Sequence, residues 1–285
     1  MEGRRSLGGM DDERFAPDDV VLGPDEEAAL LELAGFTAYV RLGLFGLIAK
    51  HTYGAPGLRA AQRMQTIAVR IGQQQQALLN VGAERGVDPV ALMRPFGGLF
   101  DSFEARTAES SWWEGVLKAV VGHGVASDLC RLLARGLPDE VGAAVRAALV
   151  HADRDKDLRI TQMIAVAAER DPVLASRLSL WGRRVAGESL TLSWEILQTR
   201  LLLADLAETA YRLREEIPLD LDSDEPVSRH STRETLQDLG SATPLRSAQS
   251  GMGEKDDEGM GAIAWVLDEL KAEHSRRMER MGLAG

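Results

Sequence analysis

The five histidines of the chain are the first residues to weigh, because an imidazole set beside a carboxylate is what lets a helix hold a metal. Residues i and i+3 share a helix face. Helical bundles that carry two metal ions use Glu-x-x-His at that spacing, with both ligands aimed into the interior. No histidine here has Glu or Asp three residues before it: Ile48, Val120, Ala148, Val227 and Lys271 occupy those positions. A second long helical segment carries Arg70 and four consecutive glutamines at 73–76 in place of acids and histidines. The residue types speak for a scaffold from which paired-metal chemistry is missing.

The elements that would position these residues are helices. Pro24 and Asp25, followed by Glu26 and Glu27, have the types that open a helix, with acids in the first turn where they meet the dipole. Leu30, Leu33, Ala34, Thr37, Val40, Leu44 and Ile48 then recur at helical spacing to about residue 52. A turn at 53–57 leads to a second helix over 58–84, stopped by Gly86. Residues 88–109 hold Pro89, Pro95 and Gly97-Gly98, so a crossing segment with short helical pieces is expected. A third long helix spans about 111–136, and a fourth runs from Pro138 to about residue 170. Asp171-Pro172 is a cap followed by proline at the first helical position, opening a fifth helix to about residue 216. No segment alternates as a strand, and no internal repeat is found.

Composition bounds the organisation. Of 285 residues, 45 % are hydrophobic, enough for a sizeable core, and the net charge is −11. Residues 25–214 hold 22 Lys+Arg and 22 Asp+Glu, so the tails carry the whole excess of acid. The reading is a disordered tail over 1–23, a bundle over 24–216, a flexible acidic linker over 217–257 and an amphipathic helix over 258–285. That last helix puts Ile263, Val266, Leu267, Leu270, His274, Met278 and Met281 on one side, which needs a surface to dock on. No charge-free run of about 18 apolar residues exists, which speaks against a membrane span. Nothing near Met1 resembles a secretory signal. A single cysteine, Cys130, fits a reduced cytoplasmic setting.

Three stretches carry a resemblance. The first is Pro95-Phe-Gly-Gly-Leu-Phe-Asp-Ser-Phe, continued by Trp112-Trp-Glu-Gly-Val-Leu-Lys-Ala-Val-Val-Gly-His-Gly. The second is Arg177-Leu-Ser-Leu-Trp-Gly-Arg-Arg-Val-Ala-Gly-Glu, and the third His274-Ser-Arg-Arg-Met-Glu-Arg-Met-Gly-Leu. The chain resembles the ferritin-like proteins grouped with the MiaE-type tRNA hydroxylases, over roughly 25–214 and 260–284. The resemblance implies an all-α, ferritin-like helical bundle with a C-terminal docking helix, and in active members a non-haem di-iron centre that activates oxygen. It implies a first-helix Glu at Gly35, a second-helix Glu-x-x-His at Arg70 and Gln73, a third-helix acid at His123, and a fourth-helix acid and His at Ala152 and Asp155. Of these, only His123 and Asp155 have side chains that bind iron well. Two iron ions need about six protein ligands, mostly carboxylates. Arg70 would bring positive charge to the same place.

Other signals are weighed against plainer readings. Gly122-His123-Gly124 fits a residual ligand, but close helix approach with a hydrogen-bonded His is favoured, since each mid-helix glycine costs about 1 kcal/mol. Asp153, Asp155 and Asp157 match the first ligands of a calcium loop, yet Leu158 and Ile164 stand where its Gly and bidentate Glu belong. Arg183-Arg184 with Trp181 and Trp194 hint at nucleic acid, but a scaffold role, with pairing to Glu188, is preferred. Trp112-Trp113 read as a staple onto 96–103. Cys130 has no histidine near it in sequence, and no phosphate-binding or hydrolase motif is found.

Two functions follow. In the first, the chain is a degenerate ferritin-like protein without di-iron catalysis or cofactor, a pseudoenzyme acting by binding or assembly. A homodimer, a protein partner or a polar small molecule is the expected partner, without membrane and with nucleic acid disfavoured. In the second, it is an oxygen-dependent hydroxylase, of tRNA or a small molecule, with an altered iron site built from His123, Asp155 and Glu32. A cavity lined by Arg70, Gln73 with its neighbouring glutamines, and His123 is the expected site for a polar or anionic molecule.

Overall fold

Pro24 at the first helical position and Glu26, whose Oε2 accepts from the Gly23 amide at 3.2 Å, start the first helix, α1 (Pro24–Tyr53). The computed structural model of the chain describes residues 23–214 and 254–283, and side chains for all of these except 150–159 and 254–258. The expected tail over 1–23 lies outside it apart from Gly23, and so does most of the expected linker. A four-residue turn returns the chain as α2 (Leu58–Ala83). The crossing segment follows, with α3 (Pro89–Met93), a 3-10 turn at Arg94–Phe96 and α4 (Asp101–Arg106). Asp88 caps α3 by accepting from the Val90 and Ala91 amides at 3.0 Å each.

The second hairpin is α5 (Trp112–Ala134) and α6 (Asp139–Arg170). Ser111 caps α5. Arg146 of α6 donates to the Ala134 carbonyl at 3.0 Å, which satisfies an orphan acceptor at the α5 end. α1 lies against α2 and α5, and α6 against both α2 and α5, so these four close a ring. Two hairpins joined by one long crossover are the topology of ferritin-like bundles.

α7 (Pro172–Thr199) begins where Asp171 accepts from the Val173 and Leu174 amides at 3.0 Å. The sequence leads one to expect a single helix to about residue 216. Instead Arg200 is extended (φ −115, ψ 93) and α8 (Leu201–Arg212) starts anew. The Arg200 guanidinium is drawn to the crossing segment: it donates to the Pro95 carbonyl and stacks 4.8 Å from the Phe96 ring centre. α9 (Glu254–Arg280) then packs on α5, α7 and α8. Among the described residues every element is helical.

α5 is the central element, with 18 of its 23 residues buried, because helices cover it on every side. α1 is likewise apolar nearly all round, and by length and composition it would pass for a membrane span, although Arg41 and Lys50 interrupt its apolar run. Its apolar faces are spent on protein: every residue from Leu33 to Ala38 is buried under neighbouring elements.

Candidate functional site

The ring interior contains a charge that the apolar pattern hides. Arg41 of α1 is fully buried, and its Nη1 donates to the Ser127 Oγ of α5 at 3.0 Å. A guanidinium has no lone pair to offer and cannot itself ligate a metal. The α2 residues singled out from sequence lie elsewhere. Arg70 is half-buried and Gln73 is exposed. Gln76 bonds Asn80 at 3.1 Å along the helix, Gln75 reaches the Met93 sulfur at 3.6 Å, and Gln74 turns its Oε1 inward. The side chain of Asp155 falls outside the described residues.

His123 lines a different space. A cavity of about 40 Å³ lies between α1, α5 and α7 under the crossing segment, bounded by Phe36, Phe100, Phe103, His123, Ser189 and Ser193, with Glu104 at its rim. No α2 residue lines it. This cavity therefore contains His123 without Arg70 or the glutamines, and the His123 ring edge lies near α1, 4.0 Å from where a Cβ at Gly43 would sit. The roof is fixed by Phe100 stacked on Tyr39 at 5.2 Å and by the Gly98 amide donating to the Tyr39 hydroxyl at 3.1 Å. Ser189 and Ser193 donate back to their own helix, to the Val185 and Ser189 carbonyls at 2.8 Å each. This volume suits a water or two and falls well short of the roughly 150 Å³ that takes up a benzene.

The glycines of α5 are slots. A Cβ at Gly115 would sit 1.7 Å from the His51 Nε2, one at Gly122 3.1 Å from the Phe103 ring, and one at Gly124 2.4 Å from the Arg277 Cζ. The Gly-His-Gly sequence thus serves close approach, as the plainer reading expected, on both sides of His123. Lys118, fully buried, donates to Glu104 at 2.6 Å and to the Thr107 carbonyl at 3.0 Å, and lies 3.5 Å from Glu109. Burial pushes the Glu109 carboxyl up, but the Lys50 hydrogen bond and the nearby Lys118 charge win and hold it down at about 2. For Glu114, burial is likewise outweighed by the Ser110 hydroxyl and amide and by Arg177 at 3.0 Å, which keep its carboxyl low. Glu32, assigned by sequence to the second function, faces Arg200 at 3.8 Å. Burial raises its carboxyl against that charge.

Several sequence readings change. The Trp112 indole donates to the His51 carbonyl at 2.8 Å, so the tryptophan staples α5 onto the end of α1 rather than onto 96–103. Glu188 pairs with Arg106 of α4 at 2.5 Å, while Arg184 lies over the Trp181 ring. Trp181 donates to the Glu114 carbonyl at 2.9 Å, a scaffold role. The backbone over 153–164 is one continuous stretch of α6, without the sharp turn a calcium loop needs.

Sequence reasoning missed Arg41, Lys118, Asp128 and Arg277. The signal was available, since each charge interrupts an apolar helical stripe. Asp128, fully buried, accepts from Arg277 of α9 at 2.7 Å and also pairs with Arg131. Beside this pair, burial and the Arg277 charge depress His274 from 6.5 to about 4. A base whose folded pKa is lowered favours the neutral form, so its contribution is complete above the unfolded value near 6.5 and is lost as pH falls toward 4. Because the ring is part-exposed, the loss is about 1–2 kcal/mol. Urea melts at intervals between these two pH values should show that fall, and His274→Gln should flatten it.

Among the described residues no three His, Cys, Asp or Glu side chains converge. At Gly35, a Cβ would lie 2.3 Å from the Leu92 carbonyl oxygen of α3, so no side chain has room there. The topology and the bundle define a ferritin-like domain. Residues 25–209 match the ferritin-like domain family of actinomycetes, and the chain belongs to that family. No curated protein shows a significant match to the chain.

Proposed function

We propose that this ferritin-like domain carries no di-iron chemistry and acts by binding or assembly, with another protein or a second copy as its partner. The buried Arg41, donating to Ser127 across the α1–α5 contact, is the observation that carries this reading. Carboxylates at such a contact would offset the charge of two cations. A guanidinium offers them no ligand atom. Truncating either member of a buried polar pair is costly, so the arrangement is consistent with an interior kept for stability and shape. The test is metal analysis of the purified full chain after anaerobic loading with Fe(II) and removal of excess. Iron far below one per chain is expected, whereas a stoichiometry of about two per chain, as a bundle di-iron site holds, overturns the reading.

A second reading is an oxygen-dependent hydroxylase, of tRNA or a small molecule, with an altered iron site. It draws on the resemblance to the MiaE-type enzymes and on His123 beside the cavity. The same iron measurement separates the two, and an absorption or spin-resonance signature of coupled iron would favour the second.

A further inference from the structure

The family match ends at residue 209, yet α9, at 254–280, fills a groove of that domain. We propose that the groove on α5, α7 and α8 is a helix-binding site that reads an arginine followed by an unbranched apolar side chain, and that α9 is its tethered, displaceable ligand. A partner of this chemistry, a helix presenting Arg-Met, is what the surface fits when α9 leaves. The inference deepens the binding reading by naming its surface, and it stands whether or not iron is held.

Two slots define the site. Gly124 leaves the space that the Arg277 guanidinium occupies on its way to Asp128, 2.7 Å away. Gly182 does the same for Met278, whose Cε would lie 2.6 Å from a Cβ there. A side chain at either glycine closes its slot, so the groove is shaped for these two residues in succession. The row Ala262, Val266 and Leu270 supplies apolar burial, and the Ser179 hydroxyl fixes the end by donating to the Leu283 carbonyl at 2.9 Å. A buried charge pair adds little net affinity over an apolar contact and mainly sets which partner fits.

Both halves of the interface keep charge partners when they part. Asp128 retains Arg131 on its own helix. Glu273, buried in the interface, retains Arg276 at 2.8 Å and Arg280 at 2.9 Å on α9. Release therefore strands neither carboxylate, although it uncovers the core members Val266, Leu270, Met278 and Met281. The covalent connection makes α9 an intramolecular ligand of the groove, so a partner must outcompete it.

Hydrogen exchange on the full chain tests this. Arg277→Ala should speed exchange of the α9 amides by about 100-fold, the effect of truncating one partner of a buried charge pair, and leave α1 and α2 unchanged. A labelled peptide of residues 258–283 should bind the full-length Arg277→Ala chain at least about tenfold tighter than wild type, because its own tail competes less. The same peptide carrying Arg277→Ala should not bind. Loss of protection in α1 and α2 together with α9, or equal peptide binding by both chains, overturns the proposal. Iron content enters neither readout, so failure here leaves the metal reading intact.

Discussion

Gly35→Glu, which installs the carboxylate at the place where the resemblance expects one, should cost about 3 kcal/mol or more and gain no metal. Alanine in place of a helical glycine normally gains about 1 kcal/mol. Here that gain loses, because the new Cβ meets the Leu92 carbonyl oxygen at 2.3 Å and its carbon at 3.2 Å. These are backbone atoms, and no rotamer change moves them. α3 must shift as a body, although Leu92 is also clamped at Gly82, where a Cβ would lie 2.9 Å from its Cδ2. Glutamate adds a buried carboxylate to this displacement. The controls separate the causes: Leu92→Ala should rescue Gly82→Ala, whose clash is with a side chain, and should not rescue Gly35→Glu. Thermal melts and iron counts on the four variants decide it. A Gly35→Glu chain as stable as wild type, and loaded with iron, would show that the interior is open after all.

The contrast between Gly35 and Arg41 explains how much of this was legible. Helix starts at Pro24, Ser111 and Asp171 were readable because cap chemistry is local: a side-chain oxygen or a fixed φ meets amides within three residues. The helices α1, α2, α5 and α6 followed from helical apolar spacing, and their arrangement as a bundle from the family resemblance. The break at Arg200 was not readable, since its cause is a guanidinium held by Pro95 and Phe96, about a hundred positions away in sequence. The candidate site was only half legible. Gly35, Gly122 and Gly124 stand out in sequence as costly helical residues, but what fills each gap comes from another element: Leu92, Phe103 and Arg277. His123 lines a cavity that the sequence could not outline, because periodicity gives a face and not the neighbour it meets. The buried charges were overlooked for the opposite reason. Each sits within an apolar stripe, where Arg41, Lys118 and Asp128 are outnumbered by Leu, Val and Ala.

Lys118 is where the second large effect is expected. Its ammonium, fully buried, ties the crossing segment to α5 through Glu104, the Thr107 carbonyl and Glu109, and lies 5.4 Å from the Phe103 ring centre. Lys118→Ala removes the charge, opens a hole below the His123 cavity and strips the Thr107 carbonyl of its donor, for a loss of about 3–5 kcal/mol. Lys118→Met keeps most of the volume, so the difference between the two variants isolates the packing share. The pH dependence isolates the charge share. Glu109 has a folded pKa held down at about 2 against 4.5, so it contributes stability that is present above 4.5 and lost as pH falls toward 2. Lys118 supplies part of that depression. The gap between wild type and Lys118→Met should therefore be widest near neutral pH and should narrow steadily below about pH 4. Denaturant melts of both proteins at neutral pH and near pH 3 give the comparison. A gap that stays constant would mean that Lys118 acts by filling space alone, and that Lys50 by itself holds Glu109 ionised.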